Sequence, residues 1–474
     1  MKSAEQVLSD LVQPSNISID SGVPLVGRVD AAAKADDETR EQKKEQEGKN
    51  QKKGETEKLR RKPVLASIPE SDLARQVHLT PWELLHVLGS SMALSRKGAG
   101  RGLAEHWGCL KYNQALTGKV GSFLALSTEG KETAEYYKAL QSNELGIGFG
   151  LILAERFLRR RYPEHSVSII PADTALRAGW ALTSRDKGHR SGYRYRPQFF
   201  AEVWKPGETS RVIPIACKGN HSNASTSHEQ LASASAHVEA VHIGAWNETP
   251  ALIFSTEIPV DGPLTVHTLE APGTGGWLRN TTAAPGTGLN QQVQEQNIFP
   301  GIQPPAEGAK TSELELGYHV QQGHYRWFQQ VVARTAAAGL SAFAGDGNTT
   351  AEYLTKRQGN ERFSGFADAA VGSVHDAHHE LMGGPFVGTD HVFRLNRTRV
   401  EAFSGVAEDL FAHLVKGDVE QYRADVHNRR SDLARVDWDN SWGGPVSIRR
   451  DGSVLAIRLL AAGSKCPSPT CPMR

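Results

Sequence analysis

The chain has 474 residues, with 39% hydrophobic and 23% charged residues and a formal net charge of +1 at pH 7. That length allows two or three domains with a sizeable core. A net charge so close to zero excludes a chain that is basic throughout, so any surface for nucleic acid must be local. The cysteines are too few and too scattered for a disulfide framework, which is typical of a reducing cytoplasm: Cys109, Cys217, Cys466 and Cys471.

Neither an export signal nor a membrane span is evident in the sequence. The first residues, MKSAEQVLSDLVQ, lack the apolar core of a signal peptide. No run approaches the roughly 18 apolar residues that a bilayer-crossing helix needs. We therefore expect a soluble cytoplasmic protein with no membrane partner.

Residues 1–62 are predicted to be a disordered, charged N-terminal segment. The stretch DDETREQKKEQEGKNQKKGETEKLRRK has almost no apolar residue, so it cannot bury enough surface to offset its conformational entropy, and disorder or a lone solvated helix is expected. Its basic end could be an arm for nucleic acid. Acidic residues interleave nearly throughout the segment, however, and this pattern favours a solvated linker.

Residues 63–262 are predicted to form an α/β core. Thr80, Pro81 and Glu83 have the N-cap, first-turn proline and third-residue glutamate that typically begin a helix. A later helix, from Glu144 to Arg161, contains three glycines at alternate positions, and such glycines indicate close backbone packing. Its C-terminal arginines suit the negative end of the helix dipole; contact with phosphates is the less favoured interpretation.

The best local signal for nucleic acid is the basic, tyrosine-containing loop between residues 185 and 196. Basic side chains interleaved with aromatic rings suit phosphate contact together with base stacking. An ordinary exposed loop explains the pattern equally well. The candidate nucleic-acid-binding residues are Arg185, Lys187, Arg190, Arg194 and Arg196.

The rest of the chain is predicted to contain a linker and a second domain. Residues 263–317 are rich in Gly, Pro, Thr and Gln, which indicates a linker or long loop. Residues 318–464 are predicted to be mainly α-helical, with a closing hairpin that turns at Asp451 and Gly452. Residues 465–474 are predicted to be a flexible tail.

Residues from about 140 to 258 resemble the restriction endonuclease-like, or PD-(D/E)XK, nuclease fold. That family has a core of helix, three strands, helix and strand, within a central mixed sheet flanked by helices. The corresponding elements of this sequence are Glu144–Arg161, Val167–Ile170, Phe199–Trp204, Val212–Lys218, Ser225–Val241 and Ala251–Ile258.

The resemblance implies a catalytic site with several substitutions. The family has Pro-Asp on the second strand and Glu-x-Lys on the third, where this chain has Pro197-Gln198 and Ala216-Cys217-Lys218. Only Lys218 is retained, while Glu144 matches a further helix glutamate of the family. In that family two carboxylates hold Mg²⁺, which activates the attacking water, and the lysine stabilises the developing charge.

A migrated site would restore acidic ligands around Lys218. The candidate catalytic residues are Lys218, Glu202 and Glu144, and the candidate metal ligands are Asp173, Glu202 and Glu229. Mg²⁺ would be the cofactor and DNA, rather than RNA, the expected partner. Two hypotheses remain: a nuclease-like protein that binds nucleic acid without catalysis, or an active metal-dependent DNA endonuclease.

A third hypothesis is a histidine-based metallohydrolase in the C-terminal half. In SVHDAHHELMGG, a helix would bring His375 and His379 together at positions i and i+4, a spacing compatible with zinc. The stretch lacks the glutamate that metallohydrolases place between such histidines. Histidines at ordinary polar surfaces explain the stretch more simply.

Overall fold

The computed structural model describes residues 2–47, 59–95, 105–119, 121–180, 195–279, 288–304, 315–363 and 374–460. Within these ranges no helix is both long and apolar enough to cross a bilayer. The α-helices are α1 (Ala4–Leu11), α2 (Val23–Glu47), α3 (Pro81–Met92), α4 (Thr128–Lys131), α5 (Glu135–Arg161), α6 (Ala172–Arg177), α7 (Ala224–Glu239), α8 (Tyr325–Phe343), α9 (Gly347–Tyr353), α10 (Lys356–Phe363), α11 (Glu408–Val415) and α12 (Val419–Asn428).

Most of the strands belong to one of two large sheets. They are β1 (Ser15–Asp20), β2 (Gln76–Leu79), β3 (Leu116–Thr117), β4 (Ala125–Leu126), β5 (Ser166–Pro171), β6 (Phe199–Trp204), β7 (Arg211–Asn220), β8 (Val241–Ile243), β9 (Ala251–Glu257), β10 (Thr265–Ala271), β11 (Tyr318–Val320), β12 (Val374–Leu381), β13 (Gly384–Leu395), β14 (Thr398–Ala407), β15 (Arg435–Asp439), β16 (Gly444–Ile448) and β17 (Ser453–Leu459).

The first large sheet is mixed and has the strand order β2-β1-β10-β9-β7-β6-β5. Strands β5, β6 and β7 form an antiparallel meander, and β9 then pairs parallel to β7. Helix α7 connects β7 to β8 and β9. The predicted α/β class is therefore confirmed, with a seven-stranded mixed sheet flanked by helices.

Helices cover both faces of this mixed sheet. On one face, α5 packs so tightly against β7 that a Cβ atom at Gly146 would collide with the Lys218 carbonyl oxygen. On the other face, Ala216 of β7 belongs to an apolar cluster with Leu231 of α7 and Leu25 of α2. Close packing at the α5 glycines, expected from the sequence, is confirmed.

The N-terminal segment is folded, so the predicted disorder of residues 1–62 is wrong for the part that the structure describes. Strand β1 lies inside the mixed sheet, between β2 and β10. The basic end of the segment forms internal ion pairs: Lys62 is buried and pairs with Glu239 at 3.2 Å. Partners distant in sequence therefore supply the stabilisation that the local composition lacks. Residues 48–58 lie outside the described residues.

The region predicted to be a linker contributes to the sheet. Within residues 263–317, strand β10 pairs with β1 on one side and β9 on the other. Every β10 residue after Thr265 is buried. Its histidine and threonines interrupt the apolar pattern, which is why the sequence did not indicate a strand.

The prediction of a mainly helical C-terminal region is also wrong. Helices α8 to α12 are present, but residues 374–459 contain an antiparallel sheet with the order β12-β13-β14-β17-β16-β15. Strand β14 is buried from Val400 to Ala407, and burial of both faces removes the alternation of polar and apolar residues that would distinguish a strand from a helix. The predicted hairpin at Asp451-Gly452 is confirmed, since β16 and β17 pair across it.

The two sheets share one core. Helix α3 lies between them, and the Trp82 indole nitrogen donates to the Leu455 carbonyl of the second sheet at 3.0 Å. A single apolar cluster includes Phe149 of α5, Leu84 of α3 and Ile457 of β17. The tail, residues 465–474, lies outside the described residues.

Candidate functional site

Lys218 lies near the carboxyl end of β7, on the face of the mixed sheet that α7 covers. Side chains alternate along a strand, so Ala216, Lys218 and Asn220 share this face, while Cys217 faces α5. Both the helix before the meander and the helix after β7 therefore determine the position of Lys218.

Gln198, just before the neighbouring strand β6, lies on the same face of the sheet as Ala216 and Lys218. The last ladder pair at this end of β6 joins Phe199 to Ile215, so the next step places Gln198 opposite Ala216. The Gln198 side-chain oxygen accepts a hydrogen bond from the Cys217 backbone nitrogen at 2.6 Å. Gln198, Ala216 and Lys218 are thus adjacent, and none of the three carries a carboxylate.

A polar network fixes the backbone beside Lys218. The Gln230 side chain, from α7, donates to the Gly219 carbonyl at 3.0 Å and accepts from the Ser255 hydroxyl at 2.7 Å. Asn220 donates to the Ser227 hydroxyl at 2.9 Å. These side chains are neutral, so they hold the backbone around Lys218 in place without compensating its positive charge.

The Lys218 ammonium itself has no hydrogen bond or ion pair with any described residue. It is partly buried, and burial lowers its pKa, because the surrounding protein disfavours the charged form. A half-buried cation without a carboxylate partner retains its capacity to bind an anion.

Glu202, predicted as both a catalytic residue and a metal ligand, does not lie near Lys218. It is opposite Val212 in the ladder, six residues before Lys218, which corresponds to about 20 Å along the strand. Its carboxylate is fully buried and forms two hydrogen bonds of 3.0 Å with Arg423 of α12. Glu202 is therefore a structural ion-pair partner, and the structure does not place it beside Lys218 as the predicted site requires.

The other predicted carboxylates also have separate positions. Asp173 of α6 forms ion pairs of 2.7 Å with Arg177 and Arg196. Glu144 of α5 pairs with the Lys111 ammonium at 2.6 Å and accepts from the Tyr112 hydroxyl at 2.7 Å.

Glu229 is exposed on α7 and lines a groove between α7 and α2. The described carboxylates therefore do not assemble around Lys218. In the described ranges, no three His, Cys, Asp or Glu side chains are grouped so that they could hold a metal ion. The donor set does not fit the Mg²⁺ that the sequence suggested.

Only one residue of the predicted basic loop can be located. Arg196 is described and pairs with Asp173. Arg185, Lys187, Arg190 and Arg194 lie outside the described residues, so their role as nucleic-acid contacts stays a prediction.

The proposed histidine pair does not exist in the predicted form, because the stretch is strand β12 and not a helix. Positions four residues apart on a strand are separated by about 13 Å, too far to share one metal ion. The His379 imidazole Nε2 instead donates a hydrogen bond of 2.9 Å to the Asp390 carboxylate on β13. The helical i, i+4 arrangement of His375 and His379 is wrong.

A second polar cluster, missed from the sequence, lies further along the row that includes Lys218. The ladder aligns Lys218, Ser255, His267 and Asp20 across four neighbouring strands. His267 is buried between two carboxylates, 3.2 Å from Asp20 and 3.0 Å from Glu257. The pairing of β1 with β10 creates this cluster, and no local spacing could have indicated it.

The chain matches no protein-family model, no curated protein and no solved structure.

Proposed function

We propose that this protein binds nucleic acid through a nuclease-like core that lacks the carboxylates for metal-dependent cleavage. The observation that carries the proposal is Lys218, a half-buried cation that has no acidic partner among the described residues. It lies beside Gln198 and Ala216, and the sequence resemblance matches it to the lysine of a PD-(D/E)XK nuclease.

The order and pairing of the core elements support the nuclease-like part of the proposal. Helix α5 precedes the antiparallel meander β5-β6-β7, and α7 leads on to β9, which is parallel to β7. The six elements occur in the order that the resemblance implies. Because a fold does not determine an activity, the chemistry must come from the site.

The chemistry of the site supports binding without hydrolysis. A hydroxide-generating cation needs hard oxygen ligands, and Gln198 and Ala216 supply no charge to attract it. Lys218 alone can attract one phosphate group of a nucleic-acid backbone. Gln198 and Gln230 hold the surrounding backbone in place through hydrogen bonds.

The test is an anisotropy titration of fluorescently labelled 20-base-pair DNA and of RNA with the full chain. Lys218→Ala is expected to weaken binding by roughly 10- to 150-fold, since a hydrogen bond to a charged group contributes about 1.5–3 kcal/mol. The slope of log affinity against log salt concentration should decrease in magnitude by about 1, the value for one lost phosphate contact. Lys416→Ala, an exposed lysine on the C-terminal side of α11, is the matched control.

Two outcomes would contradict the proposal. Equal affinity of the Lys218→Ala and Lys416→Ala proteins would remove Lys218 from the interface. Plasmid nicking in Mg²⁺ that disappears in Lys218→Ala would show catalysis at this site and contradict the hypothesis of binding without cleavage.

A further inference from the structure

A basic cleft lies at the opposite end of the mixed sheet from Lys218. It has a volume of about 360 Å³ and is bordered by the end of α5, the start of β5, α12 and the β16–β17 turn. Its wall includes Trp204, at the end of β6 next to the start of β7. Lys218 is about 23 Å further along that strand, so the two features are separate.

One arginine contacts both acidic residues of the cleft. Both Glu155 and Asp451 lie beside Arg449, whose guanidinium is 2.9 Å from Glu155 and 3.5 Å from Asp451. The cleft also contains Arg159, Arg430 and Arg450. These three arginines give the cleft a net positive charge.

The three arginines lack strong acidic partners. Arg159 has no hydrogen bond or ion pair with a described residue, and Arg450 donates only to the Arg430 backbone carbonyl. The Arg450 Nε atom is buried and unpartnered. Arg430 has one carboxylate nearby, the exposed Glu164, at 3.9 Å.

Mutual repulsion adds to the cost of burial at these arginines. Burial lowers the pKa of Arg159, and burial together with the neighbouring Arg159 lowers the pKa of Arg450, although the Glu155 carboxylate opposes the lowering at both. Two like charges held close together in a cleft raise the free energy of the empty protein. An anion bound between them would remove that penalty.

The remaining basic residues at the end of α5 show why Arg159 is different. Arg156 pairs with Glu83, and Arg161 pairs with Asp72 and Glu270. Arg160 is exposed to solvent. Helix capping and solvation therefore account for these neighbours, whereas Arg159 lines the cleft and forms no hydrogen bond or ion pair with a described residue.

We propose that this cleft binds a phosphate group between Arg159 and Arg450, with Arg430 at its edge. Guanidinium groups present a planar fork of donors that matches phosphate oxygens. The volume lies at the lower end of the range for small-molecule pockets, which suits a compact phosphorylated ligand. The phosphate belongs either to a small molecule or to a nucleic-acid backbone.

The experiment is calorimetric titration of the full chain with sodium pyrophosphate and, separately, with a 20-base-pair DNA duplex, at constant ionic strength. Arg159→Gln and Arg450→Gln are expected to weaken pyrophosphate binding at least tenfold. Arg160→Gln, which removes the same charge from the adjacent exposed position, should change the affinity by less than twofold.

The two ligands distinguish the sources of the phosphate. Loss of pyrophosphate binding with unchanged duplex affinity in Arg159→Gln indicates a small phosphorylated ligand. Parallel loss of duplex affinity, absent in Arg160→Gln, indicates the nucleic-acid backbone. Absence of saturable binding of either ligand, or equal effects of Arg159→Gln and Arg160→Gln, overturns the proposal.

Thermal unfolding separates loss of the ligand from loss of the fold. Without ligand, the unfolding temperature of Arg159→Gln should equal that of the native protein or lie slightly above it, because one repulsive charge is removed. Pyrophosphate should raise the unfolding temperature of the native and Arg160→Gln proteins only. An equal rise in all the variants would contradict the proposed site.

Discussion

The charges buried around the mixed sheet are of two kinds. Glu202 and Arg423 are 0% and 8% exposed and satisfy each other through two hydrogen bonds. Lys218 and Arg159 are also withdrawn from water, yet neither has a partner among the described residues. The first pair joins α12 to the sheet, whereas the second kind leaves the capacity to bind an anion. Burial alone therefore does not indicate function; the absence of neutralisation does.

The largest effect is expected from breaking the buried Glu202–Arg423 ion pair. Arg423→Ala should destabilise the protein by about 3–5 kcal/mol, because it leaves the Glu202 carboxylate buried without compensation. Urea unfolding measures the change. The double variant Glu202→Leu/Arg423→Met removes both charges and should recover most of the loss. A single-variant cost below about 1 kcal/mol would show that the pair is not structural.

A buried histidine provides a third kind of site, one that stays neutral. His106 is fully buried, hydrogen-bonds the Ser404 hydroxyl at 2.8 Å, and has a pKa lowered to about 3, mainly by burial. The unfolded chain therefore binds a proton first as the pH falls below 6.5. Stability should decrease between about pH 6.5 and pH 3, by about 1.4 kcal/mol per pH unit for this one group.

Urea unfolding of His106→Gln at pH 7, 6 and 5 measures that contribution. In this variant the unfolding free energy should fall less steeply with decreasing pH, by the contribution of one proton, whatever its stability at pH 7. His378→Gln, at an exposed position on β12, is the control and should keep the native pH dependence. The same slope in His106→Gln as in the native protein would mean that His106 is protonated in the fold.

The backbone approach that positions Lys218 can be tested at Gly146. Gly146→Ala should cost about 1–3 kcal/mol, because the new methyl group meets the Lys218 carbonyl and backbone cannot move aside easily. Gly27→Ala in α2 meets nothing within 4 Å and should stabilise by about 0.5–1 kcal/mol through helix propensity. In urea unfolding, the two substitutions should change the free energy of unfolding in opposite directions. A stabilising effect of Gly146→Ala would contradict the close contact.

The smallest expected effect concerns Lys218 itself. Lys218→Met should raise stability slightly at pH 7, since it removes a partly buried charge without a partner. Burial lowers the folded pKa, so the penalty is present at neutral pH and disappears as the pH rises toward 10.5. The gain over the native protein should therefore shrink between pH 8 and pH 10.5. Lys416→Met, at an exposed position, should show no gain at either pH.

The local sequence predicted the central elements well where their patterns were strong. Thr80 caps α3, and its hydroxyl accepts from the Glu83 nitrogen at 3.0 Å. Strand β6 spans Phe199–Trp204 as expected. The elements that failed were those with ambiguous patterns: β14 is buried on both faces and so lacks a polar face, and α2 has no apolar stripe that would indicate a packed helix.

The candidate site was harder to predict than the fold. Sequence spacing indicated which face of β6 carries Glu202, and Gln198 lies on that same face. It could not indicate that Arg423, 221 residues later, would neutralise Glu202. The basic cleft was equally hidden, because Arg159 and Arg450 come together only when α5 packs near the β16–β17 turn.

The sequence by itself determined the order of helix, meander, helix and strand, together with Lys218 as the retained cation and Gln198 and Ala216 as neutral neighbours. Capping residues, apolar periodicity and glycine positions act locally, so they can be recognised without the fold. The tertiary structure decided which charges are neutralised, because ion pairs form between segments far apart in the chain. For that reason the structure removed Glu202 from the candidate site and added Arg159 to a new one.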